Sequence, residues 1–175
     1  MKLRDLLWVL AYPLYQIIGT FRHEGAHALV AILEGREISK FVFWPSTYNG
    51  QFYWGYVVYE GATSLLSSAA PYILDLITFV FFLPLCALFL FKRKWIWINL
   101  IAIGLISPFA NSLYNYKGRL SSLNDVWKMF QDLPDMLVHG YFLITLLIYL
   151  IGIIIAFGFS RTARYYKKPK KNLLD

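Results

Sequence analysis

The chain has 175 residues, of which 58% are hydrophobic, 19% aromatic and only 15% charged. Water-soluble domains carry about 25% charged residues, so the composition excludes a soluble enzyme and indicates an integral membrane protein. The net charge of +7 does not indicate nucleic-acid binding, because the basic residues collect at the ends of apolar segments, where they meet anionic lipid. The single cysteine, Cys86, excludes an internal disulfide. The length fits one polytopic domain over residues 1–160 and a basic tail over residues 161–175.

The first apolar segment runs from about Leu6 to Leu33 and predicts a helix that crosses the bilayer. A helix of about 28 residues would measure about 42 Å, more than the hydrocarbon thickness, so we expect a tilt or a break at Pro13. The helix should end near Glu34-Gly35, with the glycine as its cap. Lys2 and Arg4 ahead of the segment are typical of a signal peptide. No small-residue cleavage site follows, so we expect the segment to be retained.

The pattern H-E-x-x-H lies inside this segment, at His23, Glu24 and His27. Residues four apart on a helix share a face, so His23 and His27 can bind one metal ion. Imidazole nitrogen is a good zinc ligand, and Glu24 would lie where a general base can act on water. Ionisable residues at membrane depth are costly, which favours a functional site. The alternative is a polar cluster that forms hydrogen bonds between helices without binding metal.

Residues 36–60 are rich in aromatic and β-branched side chains, in one run at 38–44 and another at 52–59. Pro45, Asn49 and Gly50 between them favour a turn. We therefore predict a β-hairpin at the membrane interface, where tyrosine and tryptophan are enriched. The hairpin is interpreted either as an aromatic interfacial belt or as a sheet edge that receives an extended peptide by strand addition.

Three further apolar segments predict membrane spans at about Ser64–Phe91, Trp95–Tyr116 and Met136–Phe159. The second span opens with small residues at 67–70 ahead of Pro71, which permits close approach by another helix.

Several polar residues interrupt these segments. Asp75, one turn after Pro71 in the second span, is either a partner that orients a metal-binding histidine or a protonated structural group. Pro108, Asn111 and Asn115 predict a polar and irregular end to the third span, tolerated only where it is buried in protein or lines a cavity. Residues 126–130 predict a short helix lying partly in the membrane. The two asparagines and Asp75 are candidates for orienting a ligand or positioning a substrate.

Four spans would leave both termini on one side of the membrane. Lys and Arg residues outside the spans number 11 on the side of the termini and 5 on the side of the hairpin. The positive-inside rule therefore predicts a multi-pass protein of the cell membrane with both termini in the cytoplasm. The tail from Arg161 to Lys171 carries six basic residues and is expected to bind anionic lipid.

Together these residues resemble the site-2 protease family of intramembrane zinc metallopeptidases. The resemblance rests on His-Glu-Gly-Ala-His at 23–27, the aromatic hairpin after it, the small residues and proline at 67–71, and an aspartate about a hundred residues after the motif. It covers roughly residues 15–131, as expected of a divergent, minimal member. It implies that His23 and His27 bind Zn²⁺, that Glu24 is the catalytic base and that Asp125 completes the coordination.

The third ligand has alternatives within the sequence. The family usually has a glycine after the aspartate, where this chain has Val126. Asp75, His139 and Glu60 also carry donor atoms that could bind zinc. For Asp125 itself, Ser122-x-x-Asp125 also fits a capping box, in which the carboxylate only closes a helix N-terminus.

We therefore predict an all-α membrane protein with about four transmembrane helices and a small interfacial β-hairpin between the first and the second. Its predicted function is a zinc metalloprotease that cuts transmembrane or membrane-associated protein substrates. The rival hypothesis is a non-catalytic membrane scaffold or metal-binding protein that keeps the protease-like fold. A transporter is less well supported, because the four short spans show no paired repeat halves.

Overall fold

The computed structural model describes residues 3–88 and 94–166, with side chains described over 12–88 and 96–158. The chain is mostly helical, as the sequence predicts. The helices are α1 (Leu3–Leu33), α2 (Leu65–Leu88), α3 (Lys94–Ile101), α4 (Ser107–Lys117), α5 (Asp125–Asp132) and α6 (Asp135–Tyr166), and a π-helical turn (Ala102–Ile106) joins α3 to α4. Four short strands lie between α1 and α2: β1 (Ile38–Val42), β2 (Ser46–Tyr48), β3 (Gln51–Tyr53) and β4 (Tyr56–Tyr59).

Within the described residues, three helical stretches are long and apolar enough to cross a membrane. They are Leu65–Leu88 in α2, Ile96–Lys117 across α3 and α4, and Asp135–Gly158 in α6. This is consistent with a membrane protein. Helix α1 covers the first predicted span but is not among the three, so the count of four spans stays a prediction. The basic turn at 92–93 and the side chains of the basic tail lie outside the described residues.

The course of α1 excludes one of the two expectations at Pro13 and agrees with the expected end of the helix. The helix continues unbroken through Pro13, which excludes the break and leaves the tilt as a prediction. It ends as predicted at Gly35, whose φ of 73° is the left-handed conformation that glycine adopts without strain. The Gly35 N–H donates to the Ile32 carbonyl at 3.0 Å, and the Arg36 N–H donates to the Ala31 carbonyl at 2.9 Å. These bonds satisfy carbonyls of the last helical turn, and the chain leaves the helix there and continues into β1.

The predicted hairpin is present, as two nested antiparallel ladders. Strand β1 pairs with β4, with Val42 opposite Tyr56, and strand β2 pairs with β3 inside that loop. The tip turns at Asn49 and Gly50, whose φ values of 50° and 76° match the turn that suits the twist of a hairpin. The two ladders are separated at Pro45, which has no N–H to donate to a ladder.

The irregular backbone of the third apolar segment lies in its middle, whereas the sequence placed it at the end. In the π-helical turn the Ser107 N–H donates to the Ala102 carbonyl, five residues back. In a regular α-helix the Ser107 N–H would donate to the Ile103 carbonyl. Here it donates to Ala102 instead, and the following residue, Pro108, has no N–H, so neither residue satisfies the Ile103 carbonyl. The Arg22 guanidinium of α1 donates to the Ile103 carbonyl at 3.3 Å. A side chain of another helix thus completes the backbone bonding.

Among the residues whose side chains are described, the buried ones form two clusters around α2. One joins α2, α3, the π-helical turn and α6, and its members are Phe79, Cys86, Trp97, Ile101, Leu105, Tyr149 and Ala156. The other joins α2, α5 and α6, and its members are Tyr72, Val126, Met129, Val138 and Phe142. The second cluster holds α5 through the fully buried Val126, so it fixes the position of the residue just before it, Asp125.

Candidate metal centre

The H-E-x-x-H residues lie within the unbroken α1 helix, one turn apart on its inner side. The ring centroids of His23 and His27 are 5.0 Å apart. His27 and Glu24 are buried, and the side chain of His23 is nearly so. The helical periodicity therefore places both imidazoles on the same face of α1, as the sequence predicts.

Asp125 reaches these histidines from α5, across 98 residues of chain. Its Oδ2 atom lies 3.4 Å from His23 Nε2 and 3.1 Å from His27 Nε2. One donor atom from each of the three residues lies within 4.8 Å of the others, and no other group of this kind occurs within the described residues. We call His23, His27 and Asp125 the donor cluster.

The Asp125 carboxylate does not cap α5. The cap is Asn124, whose side-chain oxygen accepts from the Val126 N–H at 2.8 Å. The capping-box alternative for Asp125 is therefore not what the structure shows, and its carboxylate faces the histidines. The sequence hypothesis overlooked Asn124, although asparagine is a favoured cap residue directly before the helix.

The donor cluster has the chemistry of a metal site. Two imidazole nitrogens and one carboxylate oxygen form a donor set typical of divalent transition metals. Four donors bound at about 2.0–2.1 Å in a tetrahedron lie about 3.4 Å apart, which the two distances to Asp125 approach. The residues present therefore fit a metal ion with three protein ligands.

The other oxygen of Asp125, Oδ1, forms an ion pair with Lys128. Lys128, one helical turn further on, places its Nζ 2.9 Å from Asp125 Oδ1. Burial alone would raise the pKa of the Asp125 carboxyl, but His27, His23 and Lys128 hold that pKa well below its usual range. Asp125 is therefore an anion, which is the form a metal ligand needs.

Each histidine contacts a second residue through its Nδ1 atom. His27 Nδ1 lies 3.5 Å from the Ser67 hydroxyl of α2, and that hydroxyl lies 2.9 Å from the Tyr59 hydroxyl of β4. His23 Nδ1 lies 3.1 Å from the amide nitrogen of Asn111 in α4. A metal on Nε2 requires a proton on Nδ1, and the Ser67 hydroxyl can accept it and so orient the ring of His27. The Asn111 amide nitrogen only donates, so Asn111 would orient a metal-bound His23 with its amide turned so that the oxygen faces Nδ1. The sequence indicated Asn111, but it missed Ser67 and Tyr59, because it explained the first by helix packing and the second by the aromatic belt.

A second polar cluster, which we call the Arg22 network, consists of Arg22, Asp75 and Asn111. Arg22 Nε donates to Asp75 Oδ1 at 2.7 Å, and the Asn111 amide donates to Asp75 Oδ2 at 2.7 Å. Asp75 is fully buried. Its partners make it a member of an ion pair, and it reaches His23 only through Asn111. Asn115 lies behind Asn111 and donates to its side-chain oxygen at 3.1 Å.

The remaining candidates for a third ligand lie elsewhere. His139 Nδ1 lies 2.8 Å from the Tyr116 hydroxyl, and its ring packs on Phe130 at 4.9 Å between centroids. Glu60 is exposed at the end of the sheet. Neither belongs to the donor cluster.

A cavity of about 360 Å³ opens beside the donor cluster. Glu24, His27, Asp125 and Lys128 line one side of it, and the residues of β4 line another. Gly55 lets the sheet approach α1 this closely, since a Cβ atom there would lie 3.0 Å from Glu24 Cγ and 2.4 Å from Thr20 Cγ2.

Comparison of the chain with protein-family models, with curated proteins and with solved structures found no match in any of the three. The donor cluster, Glu24 and the cavity beside them are therefore the basis for assigning a function.

Proposed function

We propose that the protein is a zinc-dependent membrane metalloendopeptidase, which hydrolyses peptide bonds of membrane-embedded or membrane-adjacent protein substrates. The observation that carries this proposal is the convergence of His23, His27 and Asp125 on one point, with Glu24 on the wall of the same cavity. A purely structural polar cluster gives no reason for an open cavity lined by Glu24, His27 and Asp125.

Three protein ligands would hold the metal at the donor cluster and leave one coordination position open, as in catalytic zinc sites. Zinc bound there would act as a Lewis acid on the scissile carbonyl and make water a stronger nucleophile at neutral pH. Ser67 would hold the ring of His27 in the orientation that its contact already shows, by accepting from Nδ1–H. Asn111 would hold the ring of His23 with its amide turned so that the side-chain oxygen accepts from Nδ1–H.

Glu24 is the general base in this proposal. It is the residue next to His23 on α1, it is 9% exposed, and it lines the cavity together with His27. Its carboxylate takes a proton from the attacking water as the new carbon–oxygen bond forms. It then passes that proton to the leaving amine as the carbon–nitrogen bond breaks. The products are a carboxylic acid, which ionises in water, and an amine, and Glu24 returns to its starting carboxylate form.

Strand β4 is the proposed binding surface for the substrate backbone. One edge of β4 pairs with β1, and residues 55–59 line the cavity. A helical substrate satisfies its backbone groups internally and must unwind before a carbonyl can react. Strand addition along β4 would give the unwound segment new hydrogen-bond partners beside Glu24.

Metal analysis of the purified protein tests the proposal. Wild-type protein should carry about one zinc per chain, since it has one donor cluster. His27→Ala should lose the metal, whereas Glu24→Gln should retain it and lose peptide cleavage by about 100-fold or more. Asp125→Asn should also lose zinc, with Asp75→Asn and His139→Ala as matched variants at the other candidate ligands.

Three outcomes would count against it. Wild-type protein that stays metal-free after zinc is offered would refute the metal centre. Full zinc retention in Asp125→Asn, with loss in Asp75→Asn or His139→Ala, would transfer the third ligand. The third outcome is a wild-type protein that binds zinc but cuts no peptide, with no effect of Glu24→Gln on any readout. It would support the rival hypothesis of a non-catalytic scaffold.

The placement in the membrane is part of the same proposal. The excess of basic residues at the termini supports a cell-membrane protein with both termini in the cytoplasm and the hairpin on the opposite face. Single-cysteine labelling in a Cys86→Ala background should modify a cysteine after residue 161 only from the cytoplasmic side. Labelling of that cysteine only from outside would reverse the orientation.

A further inference from the structure

Lys128 places an ammonium group on the wall of the cavity, next to the donor cluster. Its Nζ atom binds Asp125 Oδ1 at 2.9 Å, while Asp125 Oδ2 faces His23 and His27. One carboxylate thus separates the ammonium from the candidate metal position. The Lys128 side chain is 34% exposed, against 14% for Asp125, so it reaches from the buried cluster into the open space.

The ammonium has donors left for a ligand. Lysine carries three N–H donors, and Asp125 takes one of them. The Asp125 carboxylate already restricts the Lys128 side chain. Lys128 therefore loses less conformational entropy when it binds a second partner. Lys128 therefore presents a positioned positive charge to whatever occupies the cavity.

The charges of the cavity wall favour an anionic occupant once a metal is present. Glu24 and Asp125 contribute two negative charges, and Lys128 is the one lysine or arginine among the lining residues that the structure describes. A divalent cation and Lys128 together outweigh the two carboxylates by one positive charge. On the sheet side, Lys40 lies over the rings of Tyr48 and Tyr56, at 5.6 and 5.2 Å, behind two side chains that line the cavity.

We propose that the cavity takes a peptide with a carboxylate close to the bond that is cut, and that Lys128 binds this carboxylate. The inference rests on the proposed function, because the metal and strand β4 would set where the peptide lies. The carboxylate belongs either to an acidic side chain or to the free end of the substrate chain. Lys128 is thus a specificity-determining residue of the site.

Binding of small hydroxamates, which anchor on a zinc ion through the hydroxamate, tests this without requiring turnover. The probes carry a hydroxamate at the N-terminal end, a leucine-like residue, and then Glu, Gln or Lys with an amidated C-terminus. A fourth probe is the Gln compound with a free C-terminal carboxylate. Dissociation constants are measured on zinc-loaded protein in detergent, and the zinc content of each variant is measured alongside.

Wild-type protein should bind the Glu probe, the free-acid probe or both about five- to tenfold more tightly than the Gln amide, as expected for a partly exposed charge pair. Lys128→Met should bring this ratio to about one, and Lys128→Glu should favour the Lys probe. Lys128→Arg should keep the wild-type ratio. Lys117→Met, which changes an exposed lysine that does not line the cavity, should also keep it.

The two carboxylate probes distinguish the two sources. Preference for the Glu probe assigns an acidic side chain, and preference for the free acid assigns a chain terminus; either supports the proposal. A wild-type ratio of about one would overturn it. So would a Lys128→Met variant that weakens all probes equally and keeps the ratio, because Lys128 would then only support Asp125. If no hydroxamate binds the zinc-treated wild type, the metal centre itself fails, and this inference fails with it.

Discussion

The donor cluster and the Arg22 network lie side by side on α1, yet they differ in how their polar atoms are satisfied. In the Arg22 network each strong donor faces an acceptor: Arg22 binds Asp75, the Ile103 carbonyl and Ser107, and Asn111 binds the second oxygen of Asp75. In the donor cluster, two imidazole nitrogens share one carboxylate oxygen. The network is closed within the protein, whereas the cluster opens onto a cavity.

This difference separates a structural role from a chemical one. A closed ion pair between α1 and α2 holds the helices together and leaves little for a ligand to bind. A convergent set of lone pairs beside open space is incomplete without a further partner. Charged residues inside an apolar helix are costly in both places. Only the second arrangement offers coordination to an outside group.

The largest effect that we expect comes from opening the Arg22 network. Asp75→Ala would leave the Arg22 charge buried without its partner, which should lower the free energy of unfolding by about 3–5 kcal/mol. Asp125→Asn should cost less in metal-free protein, because water in the cavity can reach its neighbours. Denaturant unfolding in detergent measures both. The double variant Arg22→Met, Asp75→Leu is the control and should recover most of the loss. An Asp75→Ala protein as stable as wild type would contradict the assignment.

An intermediate effect is expected at Asn111, the member of the Arg22 network that also contacts the donor cluster. Asn111→Leu removes the side-chain oxygen that would accept from His23 Nδ1–H in the metal-bound protein, and it removes the bond to Asp75, so zinc affinity should fall by about 10- to 100-fold. Competition with a chelator of known affinity measures it. Asn115→Leu is the matched control, since Asn115 bonds only to Asn111 and Asn124 among the described contacts and should change the affinity less. Equal affinities in both variants would mean that Asn111 does not orient His23.

The smallest effect is expected at the start of α5. Asn124→Ala removes the helix cap and should cost about 1 kcal/mol of stability while leaving the zinc content unchanged. At the neighbouring position, Asp125→Asn should instead lose zinc and keep the helix cap. Thermal melts and metal analysis of the two variants side by side separate cap from ligand. Loss of zinc in Asn124→Ala at full stability would show that the cap also shapes the donor cluster.

The sequence predicted what depends on local periodicity and turn chemistry. A four-residue spacing on a helix determines that His23 and His27 share a face. Gly35 predicts the end of α1, and Asn49 with Gly50 predicts the turn at the hairpin tip; both are confirmed. These features need only a few adjacent residues, so no tertiary information was required.

The sequence did not predict what depends on contacts between distant segments. Arg22 and Asp75 are 53 residues apart, and nothing local indicates that they pair. Ser67 was interpreted by its size alone, because its contact with His27 depends on how α2 packs on α1. Asp125 was identified by a family resemblance. Its meeting with the histidines depends on the packing of α5 against α2 and α6, which no local pattern encodes.

The π-helical turn at Ala102–Ile106 sets the rotational phase of everything that follows it in this segment. Each residue turns an α-helix by about 100°, and a π-helical turn is equivalent to one inserted residue. Deleting one residue there would restore a regular helix and leave Asn111 and Asn115 facing α1 and α2, whereas straightening the turn at its present length would rotate both by about a quarter-turn. We therefore expect this stretch to tolerate a one-residue deletion better than a substitution that abolishes the turn. The extra residue leaves the direction of Asn111 unchanged and makes the Ile103 carbonyl available to Arg22.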